Sequence, residues 1–271
     1  MQSDAIEELN ESALRCRRRI VEMVYKAQSG HPGGSLSCID ILVGLYRGVM
    51  RFDPEKPSWG DRDRFIMSKG HASPAVYSIL RDVGVLEDSD LDGFRSLGSV
   101  CQGHVDRKWT EGVDFSAGSL GMGLSFGLGS ALAARLDVSD RHAWVLLGDG
   151  EIQEGQIWEA AMAASHLEVT NLTAIIDRNR IQNDNFVEDQ MRVGDVASKF
   201  RSFGWNVIEI DGHDMKEIVN ALSEAKASVG PTAIVAATVK GKGVSFMEDN
   251  PAFHGAAPNE DQYAEAMEEL S

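Results

Sequence analysis

Residues 142–181 read HAWVLLGDGEIQEGQIWEAAMAASHLEVTNLTAIIDRNRI, and this stretch decides the fold. Two apolar runs, 142–147 and 172–176, predict buried strands. Between these runs, apolar residues recur at three- and four-residue steps, which predicts a helix: Ile157, Ala161, Ala164 and Leu167. Strand, helix and strand in this order form a βαβ unit with parallel strands. We therefore predict an α/β fold in which helices flank a parallel sheet.

Polar residues follow both predicted strands. Asp149 lies between Gly148 and Gly150 after the first strand, and Asn179 follows the second. The carboxyl ends of parallel strands share one edge, where open α/β sheets bind ligands, so Asp149 and Asn179 should converge. Carboxylate and amide oxygens suit Mg²⁺, and the flanking glycines allow backbone amides to approach an anion. The sequence therefore predicts a Mg²⁺-bridged diphosphate site. The alternative is a tight turn with a solvated aspartate and an unrelated asparagine.

This stretch resembles the thiamine diphosphate motif, in which GDG is followed some thirty residues later by Asn. Its continuation, QEG at 153–155, resembles transketolase in particular. The resemblance implies a thiamine diphosphate-binding fold and two cofactors, thiamine diphosphate and Mg²⁺. It adds the backbone carbonyl of Ile181 as a third metal ligand beside Asp149 and Asn179. Glu154 matches a family glutamate between cofactor sites; its alternative is an ordinary acidic residue in the first helical turn.

Three Gly-His pairs precede the central unit, at 30–31, 70–71 and 103–104. His31 lies in SGHPGG, after a predicted helix over 4–29, and would by default be an exposed turn residue. The loop resembles the transketolase loop whose histidine contacts sugar hydroxyls. His71 follows a short predicted strand, 65–67, near a helix N-terminus, a position that suits an anion. This segment resembles the family's DRF…GHA motif, whose histidine touches the diphosphate.

Three later segments extend the resemblance. His104 matches the histidine of the family's GHPE, although Val-Asp replaces Pro-Glu here, and an ordinary loop histidine is its alternative. SAGSLGMGL at 116–124 resembles TGSLGQG, which implies that the Gly118 carbonyl meets the aminopyrimidine beside Leu120. Close helix–sheet packing is the alternative there. His254 belongs to a segment resembling HGAP, whose histidine contacts the diphosphate.

The resemblance thus implies distinct roles for the histidines. His71 and His254 would hold the diphosphate. His31 and His104 would orient sugar hydroxyls and share proton transfers, which suits groups that titrate near neutral pH. The predicted catalytic residues are His31, His71, His104 and Glu154.

Composition sets outer limits on the class of protein. A chain of 271 residues with 43% hydrophobic residues is long enough for one large α/β domain. The polar N-terminus predicts no signal peptide, and no apolar run approaches a membrane span. Three scattered cysteines suggest reduced thiols in the cytoplasm. A net charge of −16 argues against a nucleic-acid partner.

The remaining segments predict the rest of the sheet and its helices. We predict helices over about 38–48, 189–203 and 259–270, and strands over 205–210 and 232–238. His213 and Asp214 should cap a helix that starts at Met215. A cluster of arginines in the first helix predicts a solvated face or a salt-bridge seam: Arg15, Arg17, Arg18 and Arg19.

Matches to the transketolase motifs run in order from Ser29 to Pro258. They imply one diphosphate-binding domain over 1–271, with the pyrimidine-binding domain on a separate chain in a two-plus-two heterotetramer. The implied reaction moves a two-carbon ketol unit from a ketose, or its phosphate, to an aldose acceptor, as in the pentose phosphate pathway. Alternatives are a specialised ketolase, a deoxyxylulose phosphate synthase-like enzyme, or a non-catalytic cofactor-binding partner.

Overall fold

The computed structural model of the chain describes residues 3–183 and 185–271, so residues 1, 2 and 184 of the predicted domain lie outside it. Seven strands occur in the described residues: β1 Arg64–Met67, β2 Ala143–Gly148, β3 Leu172–Arg178, β4 Ile181–Gln182, β5 Asn185–Phe186, β6 Asn206–Asp211 and β7 Thr232–Ala237. All neighbouring strands of the main sheet are parallel, in the order β1-β2-β3-β7-β6. The short β4 and β5 form a separate antiparallel pair. The predicted α/β class and all five predicted strands are confirmed.

Helices cover both faces of the sheet. Their bounds are α1 Ser3–Ala27, α2 Pro32–Leu36, α3 Ile39–Val43, α4 Ser73–Asp82, α5 Asp88–Asp92, α6 Met122–Leu136, α7 Gly155–His166, α8 Val187–Gln190, α9 Val196–Ser202, α10 Met215–Lys226 and α11 Glu260–Glu269. Alternate side chains of β2 enter different cores: Trp144 and Leu146 pack with α1, α3, α4 and α10, whereas Val145 and Leu147 pack with α6, α7 and α9. The central strands are therefore apolar on both faces, which explains their continuous apolar runs.

The register of the strands places the site. Gly148 at the end of β2 pairs with Asp177 of β3, and Asp177 pairs in turn with Ala236 of β7. The residues that follow these positions therefore leave the sheet at the same edge. This is the edge at which the sequence predicts that Asp149 and Asn179 converge.

Two local predictions, for 189–203 and for His213, were wrong, and the helix predicted over 38–48 is confirmed in extent but changes type along its length. The helix predicted over 189–203 is two short helices, α8 and α9, because Gly194 takes a positive φ of 61° and Asp195 then caps α9 by accepting the N–H of Ser198. The helix predicted over 38–48 ends as an α-helix at Val43 and continues as a π-helical segment, Gly44–Val49. His213 does not cap α10.

Asp214 alone caps α10, as predicted for that residue, by accepting the N–H groups of Lys216 and Glu217. His213 instead bonds Asp40 through Nδ1 at 2.7 Å and accepts the N–H of Val239 at Nε2.

The arginines of α1 form the predicted salt-bridge seam. Arg17 pairs with Asp40, and Asp82 of α4 lies within salt-bridge distance of both Arg15 and Arg19. None of the helices in the described residues combines the length and apolar character needed to cross a membrane.

Candidate functional site

A cavity of about 330 Å³ opens at the carboxyl edge of the sheet. Every residue that the sequence singled out for a site lies on its wall: His31, His71, His104, Gly118, Leu120, Gly148, Asp149, Gly150, Glu154, Asn179, Ile181 and His254. They come from loops that are far apart in the sequence, so the fold alone brings them together. The structure thus places all of the predicted site residues around one cavity.

Asp149 and Asn179 form a buried polar corner of this cavity. The carboxylate of Asp149 accepts the N–H groups of Gly150 at 2.9 Å and Arg180 at 2.6 Å. The amide oxygen of Asn179 accepts the N–H of Ile181 at 3.1 Å. Burial, and then the charge of Asp177, raises the pKa of Asp149 to about 6. A cation bound beside this carboxylate would favour its ionised form.

The donor set of this corner fits a small hard cation. No group of three or more His, Cys, Asp or Glu side chains that could hold a metal occurs in residues 3–183 and 185–271. The corner instead offers one carboxylate, one amide oxygen and the nearby Ile181 carbonyl, all oxygen donors. Mg²⁺ commonly takes one or two carboxylates and completes its shell with water and substrate phosphates. The residues therefore fit Mg²⁺ that is shared with a diphosphate.

Four histidine rings also line the cavity and lie close together. The ring of His31 lies 5.1 Å from His71, 6.2 Å from His104 and 5.3 Å from His254, measured between ring centroids. Burial, followed by the guanidinium of Arg95, lowers the pKa of His31 to about 4. Burial likewise lowers the pKa of the other three rings. At neutral pH these rings are uncharged, so each can donate one hydrogen bond and accept another.

Nδ1 of His31 is buried and has no hydrogen-bond partner within the described part of the chain. A buried polar atom without a partner is costly, and a ligand hydroxyl or phosphate oxygen in the cavity would relieve that cost. The unpartnered Nδ1 of His31 therefore indicates that a polar ligand binds among the four histidine rings.

Sequence reasoning missed two buried lysines on the cavity wall. The Nζ atom of Lys240 lies 3.1 Å from the Ile181 carbonyl and 2.6 Å from Nδ1 of His254. Lys69 is 2% exposed and bonds Asp177 and the Gly34 carbonyl. Lys240 brings a basic group to the cavity in a chain whose net charge is −16, whereas the charge of Lys69 is balanced by Asp177. The VKGKG segment at 239–243 was the signal for Lys240, because the glycine that follows it, Gly241, allows a tight turn directly after β7.

Glu151 was also missed, and it connects three loops of the site. Its carboxylate accepts the N–H groups of Gly121 at 2.9 Å and Gly148 at 3.0 Å, and it accepts the hydroxyl of Ser68. Burial raises the pKa of Glu151. The hydroxyl of Ser68 in turn accepts the N–H of Gly123. This network holds the turn that carries Gly118 and Leu120 against the ends of β1 and β2.

Glu154 and the glycine turn meet at the mouth of the cavity. Glu154 is exposed, and no capping hydrogen bond links its side chain to α7. Gly121 has a φ of 82°, and a Cβ there would lie 2.7 Å from Cβ of Glu154. Only glycine fits that position, so the turn is packed tightly against the residue before α7.

Residues 9–271 match the family described as "Transketolase, thiamine diphosphate binding domain". Solved transketolases share the fold: that of Campylobacter jejuni subsp. jejuni NCTC 11168 superposes with a TM-score of 0.91 at 35% identity, over 100% of this chain and 43% of that one. This chain is therefore a thiamine diphosphate-binding protein.

Relatives of similar length are named as subunits of transketolases. The chain is 41% identical to one such subunit, from the apulose-4-phosphate transketolase of Phocaeicola vulgatus, over 98% of this chain and 95% of the relative. It is 39% identical to the 6-deoxy-6-sulfo-D-fructose transketolase subunit SqwG of Clostridium sp. (strain MSTE9), over 97% of this chain and 96% of that relative. Human transketolase is 35% identical over 92% of this chain, which spans only 40% of that protein. The chain belongs to the transketolase family.

Proposed function

We propose that this chain is the diphosphate-binding subunit of a transketolase that depends on thiamine diphosphate and Mg²⁺. With a partner subunit it moves a two-carbon ketol unit from a ketose donor to an aldose acceptor. The observation that carries this proposal is the cavity at the carboxyl edge of the sheet, where metal-binding oxygens, neutral histidines and buried lysines meet.

Asp149, Asn179 and the carbonyl of Ile181 hold Mg²⁺ in this proposal. His71, His254 and Lys240 hold the diphosphate, and Gly148 and Gly150 let backbone amides approach it. When bound, thiamine diphosphate supplies the electron sink that allows a carbon–carbon bond beside a carbonyl to be broken and formed. The protein contributes position and electrostatics.

His31 and His104 act on the sugar. Burial lowers their pKa values and keeps the rings neutral at pH 7, so each can accept a hydrogen bond from one hydroxyl while it donates one to another. Gly118 and Leu120 border the aminopyrimidine, and Glu154 reaches toward the neighbouring cofactor site. These roles rest on the matched motifs together with the shared cavity.

An apolar face beside the cavity supports a partner subunit. Leu120, Met122, Phe126 and Met162 are 39%, 44%, 36% and 56% exposed on or beside α6 and α7. A helix that is apolar on most sides is normally buried, and α6 carries no charge before Arg135. We propose that residues 1–271 form one domain, and that a pyrimidine-binding subunit covers this face in a two-plus-two assembly.

The substrates we propose are sugars or sugar phosphates, within the pentose phosphate pathway or a related route. Two relatives are named for apulose-4-phosphate and 6-deoxy-6-sulfo-D-fructose, and those names favour a specialised ketolase as a second candidate. We propose the cytoplasm as the compartment, because the described cysteines are free, buried thiols.

Native mass spectrometry of the chain, purified from its own cells with Mg²⁺ and thiamine diphosphate, tests the proposal. We expect a complex with a second chain of similar size, in which two copies of each carry two cofactors. That complex should transfer ketol units, whereas the isolated chain should not. A homodimer without cofactor, or full turnover by the isolated chain, would contradict the proposal. Release of CO₂ from pyruvate by the complex would instead indicate a synthase-like enzyme.

A further inference from the structure

Asp177 is fully buried at the end of β3 and lies directly beneath the cavity. Its carboxylate accepts the hydroxyl of Ser37 at 2.6 Å, the ammonium of Lys69 at 2.5 Å and the amide Nδ2 of Asn179 at 3.0 Å. The hydroxyl of Thr238 donates to its other oxygen. All four neighbours are donors, as an ionised carboxylate requires.

This arrangement determines which way the Asn179 amide points. An ionised carboxylate can only accept hydrogen bonds, so Asn179 must turn its NH₂ group toward Asp177. Its Nδ2 also donates to Ser37 Oγ at 3.3 Å. The amide oxygen consequently lies on the opposite side, where it accepts the N–H of Ile181 and has a lone pair left for the cavity. A flipped amide would present hydrogens to a cation instead.

The ammonium of Lys69 stabilises the buried carboxylate of Asp177 in its ionised form. Burial alone would raise the pKa of Asp177, but Lys69, followed by the hydrogen bonds from Ser37 and Thr238, brings it below its ordinary value. Lys69 also donates to the Gly34 carbonyl at 2.6 Å, which ties this pair to the loop that carries His31. Removing one partner of a buried ion pair leaves an uncompensated charge and destabilises the fold strongly.

We propose that Asp177, with its charge balanced by Lys69, is a positioning residue that fixes the amide oxygen of Asn179 as a ligand for the divalent cation. This inference rests on the proposed function, since it assigns Asn179 to the metal. Residues that orient metal ligands commonly change metal affinity 10- to 100-fold when they are replaced. A merely structural ion pair would change stability without a selective effect on the metal.

The test compares variants of the complex purified as above. Mg²⁺ is titrated at a fixed concentration of thiamine diphosphate while tryptophan fluorescence is followed, and unfolding by urea is measured without metal. Asp177→Asn should raise the apparent Kd for Mg²⁺ 10- to 100-fold. Thr173→Val, a buried change at the opposite end of β3, controls for lost stability. It should leave the Kd for Mg²⁺ within about twofold of wild type.

The swap Asp177→Asn with Asn179→Asp supplies the sharper readout. It returns an amide donor facing a carboxylate, so Mg²⁺ affinity should recover by at least about tenfold over Asp177→Asn. Should Asp177→Asn fail to fold, Lys69→Met with Asp177→Asn removes the unpaired charge and should show the same weakened Mg²⁺ binding. Wild-type Mg²⁺ affinity in either Asp177 variant, or no recovery in the swap, overturns the inference. Unchanged affinity in Asn179→Ala would instead refute the metal assignment of the proposed function.

Discussion

Lys240 and His254 fix each other in the wall of the cavity, with the ammonium Nζ 2.6 Å from the ring Nδ1. An ammonium group has only donors, so Nδ1 must accept, and the hydrogen of the neutral ring lies on Nε2. Burial and then Lys240 lower the pKa of His254 to about 3. The pair therefore places a lysine ammonium beside a neutral ring of defined tautomer, which suits recognition of a diphosphate.

Replacing Lys240 should weaken that recognition. A hydrogen bond to a charged group contributes about 1.5–3 kcal/mol, so Lys240→Gln should raise the Kd for thiamine diphosphate about 10- to 100-fold. Isothermal titration of the complex with excess Mg²⁺ measures this change. Lys242→Gln is the matched control, because that lysine is partly exposed and pairs with Glu248. Equal affinity in both variants would remove Lys240 from the diphosphate site.

Asp149→Ala should abolish Mg²⁺-dependent cofactor binding and leave the fold intact. The substitution removes the carboxylate ligand, although it also frees the N–H groups of Gly150 and Arg180. Cofactor titration with and without Mg²⁺ measures the effect, and circular dichroism checks the fold. The exposed Asp189→Ala serves as the control. Unchanged affinity in Asp149→Ala would contradict the metal assignment.

Acid should destabilise the fold partly through His142, which is buried against Trp144 and bonded to Thr173. Burial lowers its pKa to about 4, whereas the unfolded chain has the ordinary value of about 6.5. Between these values the unfolded state binds the proton and the folded state does not, so the free energy of unfolding falls as pH drops from about 6.5 to 4. This one group makes the free energy of unfolding higher above pH 6.5 than below pH 4 by at most about 3 kcal/mol.

Urea unfolding of His142→Gln at several pH values isolates this contribution. The variant should lose less stability than wild type between pH 7 and 4.5, even if it is less stable at pH 7. The exposed His166→Gln controls for removal of a histidine as such. Parallel curves for wild type and His142→Gln would show that His142 does not carry the effect.

Ser68→Ala should loosen the glycine turn beside the cavity. Without this hydroxyl the N–H of Gly123 and the carboxylate of Glu151 each lose a buried partner, at a cost of about 1–3 kcal/mol. Hydrogen exchange should accelerate at the amides of Gly121 and Gly123. Ser130→Ala, on the helix that contains Gly123, is the control. Wild-type exchange rates at both amides in Ser68→Ala would show that the Ser68 hydroxyl does not hold the glycine turn in place.

The apolar face should be sensitive to charge. Met162→Asp places a carboxylate on it and should reduce assembly with the partner subunit more than tenfold, because burial of an unpaired charge is costly. Native mass spectrometry of the co-purified complex measures the loss. Val229→Asp introduces the same charge at a residue 91% exposed near the start of β7. If both variants assemble like wild type, the partner binds elsewhere.

The strands and loops that could be predicted from the sequence have local signals, which do not depend on contacts between distant segments. Apolar runs buried on both faces identified β2 and β3, and glycines next to histidines marked loops at the strand ends. Lys69, Asp177 and Glu151 were passed over, because a charged residue normally lies at the surface. Their burial depends on donors and acceptors that come from distant segments, such as Ser37 and Thr238 around Asp177. Such networks exist only after the chain has folded.

The break between α8 and α9 escaped prediction for a different reason. Apolar residues over 189–203 have helical spacing, but a positive φ at Gly194 and the cap at Asp195 outweigh it. Spacing reports which face is buried and does not reveal where the backbone turns.

The pairing of β1 with β2 also constrains how this chain is made. β1 begins at Arg64, and its only neighbour among the described strands begins at Ala143. At a synthesis rate of about 5–20 residues per second, roughly 4–16 s pass before that neighbour emerges from the ribosome. During this time the helices that precede β1 expose apolar surface that is covered only when β2 and the later helices, such as α10, have been made. A chaperone that binds the nascent chain over that interval would protect the subunit before any partner can reach it.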